Sequence, residues 1–135
     1  MADIQQVNFV PTEWGPKVEG WLHQIDGIER HIDAMQSRIA SGEYQALTIE
    51  ADGETVGAVV WSVEHEPRGA VVVVNALAGR PVPGLDLSKL ALAFVARVGR
   101  ASGAVAVRFW TDRRGLVRKM QGQGFRMSYV MEGRL

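Results

Sequence analysis

The chain has 135 residues, 47% of them apolar, and its 15 Lys/Arg balance 15 Asp/Glu to a net charge of zero. That length suits one domain, residues 1–135, with a single core, and the balance gives no general attraction to nucleic acid or an anionic membrane. The absence of cysteine excludes disulfides, thiolate metal sites and cysteine nucleophiles.

The charge is unevenly placed. From Arg97 onward nine basic residues stand against two acids, Asp112 and Glu132, while the first 96 residues hold six against thirteen. Two readings follow: halves that complement each other in the folded state, or a basic face for an anionic ligand. The N-terminal MADIQQVNF has neither a basic nor an apolar signal region, and no run approaches 18 apolar residues. A soluble protein acting inside a cell is the expectation.

In chain order, Ile4–Val10 reads as a first strand stopped by Pro11, and Pro16 suits the first turn of a helix carrying Val18, Trp21, Leu22 and Ile25 on one stripe. Asp26-Gly27 separates it from a second helix with Ile28, Ile32, Met35 and Ile39, capped by Gly42. Tyr44–Ala51 and Thr55–Val63 are strands joined at Asp52-Gly53, a strong hairpin signal. Glu66-Pro67-Arg68-Gly69 is a second turn. Ala70–Leu77 follows, its continuous VVVV predicting a central strand buried on both faces.

After the connector GRPVPGLDLSKL, Leu87, Leu90, Ala91, Phe94, Val95 and Val98 form one face of a strongly amphipathic helix ended by Ser102-Gly103. Ala104–Trp110 reads as a strand, Arg113–Gln123 as a short basic helix, and Phe125–Met131 as a last strand. The order β-α-α-β-β-β-α-β-α-β is a mixed α/β domain. A helix crosses over between the third-strand VVVV run and Ala104–Trp110, so those strands should be parallel, with a ligand site where they part beside the helix N-terminus.

This element order, with GLVRKMQGQGF near the C-terminus, resembles the GCN5-related N-acetyltransferase (GNAT) family, including short phage-encoded members. The resemblance implies acetyl-CoA in the cleft between two splayed parallel strands. It also implies a pyrophosphate loop of pattern [QR]-x-x-G-x-[GA] leading into the crossover helix. Backbone N–H groups and the helix dipole explain why such a loop binds an anion. By this resemblance the cofactor contacts are Asn75, Ala76, Leu77, Arg80, Gly84, Leu85, Asp86 and Leu87.

The loop itself departs from the pattern. Only Gly84 of Pro81-Val82-Pro83-Gly84-Leu85-Asp86 matches, both prolines lack an N–H, and Asp86 suits a helix N-cap while repelling phosphate. The family's tyrosine acid falls at Met120, which has no proton to give, and Tyr129 does not match that position. For a base, the third strand offers only Asn75, and Glu64, His65 and Glu66 read as solvated turn residues.

Three readings of function result. The first is a GNAT-like protein with a degenerate acetyl-CoA apparatus and a filled cleft. It would be non-catalytic and serve interaction or structure, in the host cytoplasm or in a phage particle, through a protein partner or self-assembly. Its candidate surfaces are Trp14, beside the Gly15-Pro16 corner, and the basic helix residues Arg113, Arg114, Arg118 and Lys119. The alternative is an acetyl-CoA-dependent N-acetyltransferase with an atypical loop, marked by an open cleft between the parallel strands. The third is a nucleic-acid binder using the Arg113–Lys119 face, with little aromatic support. His23, His31 and His65 lack metal-ligand spacing, and no Walker or G-x-S-x-G motif occurs.

Overall fold

The computed structural model describes residues 6–110 and 114–126. Among these residues a mixed sheet of five strands, in the spatial order β1-β2-β3-β4-β5, carries helices on both faces. The strands are β1 (Val7–Thr12), β2 (Gln45–Ala51), β3 (Glu54–Glu66), β4 (Gly69–Gly79) and β5 (Ala106–Phe109). The helices are α1 (Pro16–Leu22), α2 (Ile32–Ala40), α3 (Leu87–Ala101) and α4 (Arg114–Gln121). A single 3-10 turn, Ile28–Arg30, precedes α2.

The short-range signals act where the sequence puts them. Asp52 and Gly53 both take positive φ, 48° and 84°, as a two-residue β2–β3 hairpin turn requires. Asp52 also ties the turn to β1: its amide donates to the Gln6 carbonyl, and its Oδ1 accepts from the Gln6 amide at 2.8 Å. Pro16 opens α1, and Gly42, at φ 83°, follows the end of α2.

Other boundaries move for tertiary reasons. Pro11 lies inside β1 rather than ending it, because β1 is the sheet edge, where a missing N–H costs no ladder bond. Ile25 falls beyond α1, and the second predicted helix divides into the 3-10 turn and α2. Glu64, His65 and Glu66 are not turn residues: β3 runs through them, opposite β4, and the two glutamates hold a partner on β5. Arg108 donates from Nη2 to both carboxylate oxygens of Glu66, at 2.6 and 3.1 Å, with Glu64 at 3.8 Å. The expected strand Phe125–Met131 lies almost wholly outside the described residues.

β4 is central, as the VVVV run implies. Val71, Val72 and Val73 are fully buried, and β4 pairs antiparallel with β3 and parallel with β5. One core lies between the sheet and α3–α4, built from Ile49, Val59, Val72, Leu92, Val95 and Met120. The other lies under α1 and α2, with Val18, Leu22, Ile32, Met35 and Val60. Phe9 stacks on Phe94 at 4.4 Å between ring centres, fastening β1 to α3.

At Gly99, α3 comes close against the sheet. A Cβ placed there would lie 2.5 Å from Val72 Cγ2. Gly99→Ala gains about 1 kcal/mol of helix propensity but incurs an overpacking cost of about 1–3 kcal/mol. Thermal unfolding should therefore show a lower Tm. Adding Val72→Ala should recover part of the loss, and a Gly99→Ala chain more stable than the parent would contradict this packing.

Candidate active-site cleft

The parallel pairing of β4 with β5 is short. It joins Val71–Val74 to Ala106–Phe109 and then stops, while β4 continues to Gly79 with no partner on that side among the described residues. At the same point the register of β4 against β3 slips. Trp61 opposes Val74 and Val60 opposes Ala76, leaving Asn75 as the extra residue of a β-bulge. A bulge bends its strand and increases the local twist. Val74 below it packs into the α3-side core, whereas Ala76 above it packs into the α1–α2 core.

Where the strands part there is an open cleft of about 820 Å³. Its walls are the upper half of β4, the β4–α3 connector, the start of α3, the end of β5 with Trp110, and Leu116 and Lys119 of α4. The segment from Gln24 to Asp26, with Ile28, forms its remaining side. Among the described residues the cleft is neither narrowed nor filled, contrary to the expectation for a degenerate protein. Small residues on β4, Ala76 and Ala78, and the bulge itself leave the space open.

Of the residues singled out as cofactor contacts, Asn75, Ala76, Leu77, Arg80, Leu85, Asp86 and Leu87 all line this cleft. Gly84 does not. It sits at φ 78° in a turn that Pro83 initiates, closed by the Leu85 amide donating to the Val82 carbonyl at 3.1 Å. Proline followed by a positive-φ glycine is the type II turn pattern, so Gly84 is required by the turn.

The connector uses up much of its own polarity. The Arg80 amide donates to Val56 of β3 at 2.9 Å, and its guanidinium pairs with Glu54 at 3.0 Å. Asp86 is the N-cap of α3, with Oδ1 accepting from the Lys89 amide at 3.1 Å. Its Oδ2 reaches across to Lys119 of α4 at 2.9 Å. The Lys119 hydrogen bond is the largest cause lowering the Asp86 carboxyl from its ordinary 3.8. Burial opposes it, and the Lys89 amide and both lysine charges add to it. The amides of Leu87 and Ser88, first in the helix, have no acceptor within it and are left at the cleft wall.

The remaining sequence candidates lie elsewhere. Met120 is 2% exposed in the α3–α4 core and does not line the cleft, so the expected place of an acid is filled by packing. Gly124 takes φ 90° after α4, and Phe125 meets Phe109 edge-on at 5.5 Å. Trp14 is half-buried against the α1–α2 core. Arg114 and Arg118 are exposed and outside the cleft, Lys119 alone of the basic helix turns to it, and Arg113 lies outside the described residues. Residues that sequence reasoning passed over are the Gln24–Asp26 wall, Trp110, and Ser62 beneath the bulge. Only a polar Asn75 in an apolar run hinted at the last.

No protein-family model matches the chain, and no curated protein matches its sequence. Solved structures do match its shape. Aminoglycoside acetyltransferase AAC(6')-Iy, in complex with a CoA bisubstrate analogue, superposes with a TM-score of 0.71 at 18% identity, over 97% of this chain and 99% of that one. A predicted acetyltransferase from Clostridium acetobutylicum, solved with acetyl-CoA, gives 0.70 at 9% identity, over 95% and 96%. The fold is that of the GCN5-related N-acetyltransferases. A ribosomal-protein-alanine N-acetyltransferase from Brucella melitensis shares the GNAT architecture at 0.64 and 16% identity, over 95% and 100%. In each comparison the likeness spans nearly the whole of both chains.

The Asp86–Lys119 contact predicts a pH effect with a definite sign. A carboxyl lowered in the folded state adds stability that is fully present above its ordinary value of 3.8 and is lost as pH falls through the lowered folded value. Both groups are partly exposed, so the pair contributes below about 1 kcal/mol. Chemical denaturation of the parent and Lys119→Met should differ slightly at neutral pH and converge in acid. A difference that persists or grows at low pH would count against the pair.

Proposed function

We infer that the protein is an acyl-CoA-dependent N-acyltransferase, with acetyl-CoA the reference donor. The observation that carries this reading is the open cleft where β4 leaves β5, beside the first turn of α3. A thioester donor brings an activated acyl group, and everything else in the reaction is positioning by the chain. Leu87 and Ser88 supply free amides for one phosphate, and the α3 dipole favours its charge. Arg80 and Lys119 border the same wall as cations. The upper half of β4, paired with β3 but with no partner on its β5 side among the described residues, runs along the cleft as the place for an extended, amide-bearing arm, with apolar Leu77, Leu85 and Phe109 around it.

The departures from the family loop tune this site rather than close it. Pro81 and Pro83 remove two amide donors, so fewer backbone contacts are available to a pyrophosphate. The Asp86 charge is already countered by Lys119, which weakens its repulsion of an incoming phosphate. The same pair sets up a competition, since a phosphate and Asp86 would both draw on Lys119.

Isothermal titration with acetyl-CoA and with CoA tests the reading. Micromolar binding of both is expected, and no heat and no thermal shift at millimolar ligand would retire it. Asp86→Asn keeps a good N-cap while removing the competing charge. It should tighten CoA binding two- to fivefold, the scale of an exposed ion pair of about 0.5–1 kcal/mol. Lys119→Met should weaken binding by a similar factor.

A further inference from the structure

The bulge residue, Asn75, lines the cleft and has half of its side-chain hydrogen-bonding capacity committed. Asn75 Nδ2 donates to Ser62 Oγ at 2.9 Å and reaches toward the Val73 carbonyl at 3.4 Å. A carbonyl can only accept, so the amide nitrogen must face Val73, and this fixes which way round the carboxamide sits. Ser62 is 5% exposed and carried on β3, so the anchor is rigid. Asn75 Oδ1 faces away from these partners and receives no donor among the described residues. It is an acceptor, it is partly buried, and it belongs to a cleft-lining residue at the point where β4 and β5 separate.

We propose that Asn75 Oδ1 accepts a hydrogen bond from the attacking nitrogen of the acceptor substrate and orients its lone pair toward the acyl carbon. This rests on the acyl-CoA reading and adds a residue role to it. The thioester group itself has no hydrogen to donate, and the N–H groups of the donor's arm have the free backbone edge of β4 to pair with, so a pinned acceptor oxygen at the fork serves the nucleophile. The substrate class is then a nitrogen nucleophile that still carries an N–H while it attacks, a primary or secondary amine. Asn75 cannot take the proton, because a neutral carboxamide is far too weak a base. In the step, the C–N bond forms as the C–S bond breaks. The surplus amine proton passes to solvent, and the departing thiolate is protonated from solvent.

The test uses binding. The probes are CoA and two S-alkylated derivatives: CoA–S–CH2–CO–NH–CH3, whose N–H stands in for the attacking nitrogen, and the N,N-dimethyl amide, which lacks that hydrogen. The full chain should bind the N-methyl probe about three- to tenfold more tightly than the N,N-dimethyl one, the range of a single net hydrogen bond. Asn75→Ala should bring the ratio between the two probes to about one, whatever its effect on CoA affinity, and a cooperative thermal unfolding transition shows that the variant is folded. A ratio unchanged from the parent would overturn the role of Asn75. Asn75→Asp, which keeps an acceptor oxygen, should retain the preference. Equal binding of the two probes by the parent, with CoA bound normally, overturns the role of Asn75 and leaves the acyl-CoA reading standing. Failure of CoA to bind the parent overturns both.

Discussion

The site depends on a break in one strand. β4 is an inner strand of the sheet, hydrogen-bonded on both sides through Val71–Val74, which are buried, and a continuation of that pairing would leave no room for a ligand. The extra residue at Asn75 interrupts the ladder with β3. It shifts the register against β3, turns Ala76 to the opposite core from Val74, and coincides with the parting from β5. Beyond it the upper half of β4 is supported from the β3 side alone among the described residues. An unpaired edge in the middle of a sheet is costly unless something covers it, and here it borders a cleft about 820 Å³ in volume. The cleft and the Asn75 acceptor both follow from that one insertion.

The connector after β4 spends much of its polarity on itself. Pro81 and Pro83 stiffen it, Pro83-Gly84 makes a compact turn, and Asp86 caps α3 from inside. Each of these stabilises the chain by itself and removes something an anion would use. The compensation is electrostatic and comes from another element, since Lys119 of α4 sits against Asp86. The Asp86 charge is therefore partly countered within the chain itself.

Much of the fold was legible because its signals are local. Asp52-Gly53, Gly42, Pro16, Asp86 and Gly103 act through their own backbone geometry, and the continuous apolar run of β4 announces burial on both faces. Pro11 was misleading because a proline's cost depends on whether its strand lies at an edge, which sequence order does not reveal. Glu64 and Glu66 looked solvated because their partner, Arg108, is about 42 positions away and meets them only through the sheet. The cleft lining was largely anticipated from the crossover, but its state was not. An inserted residue breaks periodicity without leaving a motif, so the bulge, its Ser62 anchor and the Gln24–Asp26 wall emerge only from the three-dimensional arrangement.

The central claim is that the fork above Val74 and Phe109 receives CoA. It is tested most directly by backbone amide NMR of the 15N-labelled full chain during titration with CoA. The account predicts perturbations concentrated in Asn75–Gly79 and Leu85–Ser88, with a smaller response around Lys119 and little in α2. Perturbations confined to the exposed Arg114 and Arg118 surface, or none at millimolar CoA, would contradict it.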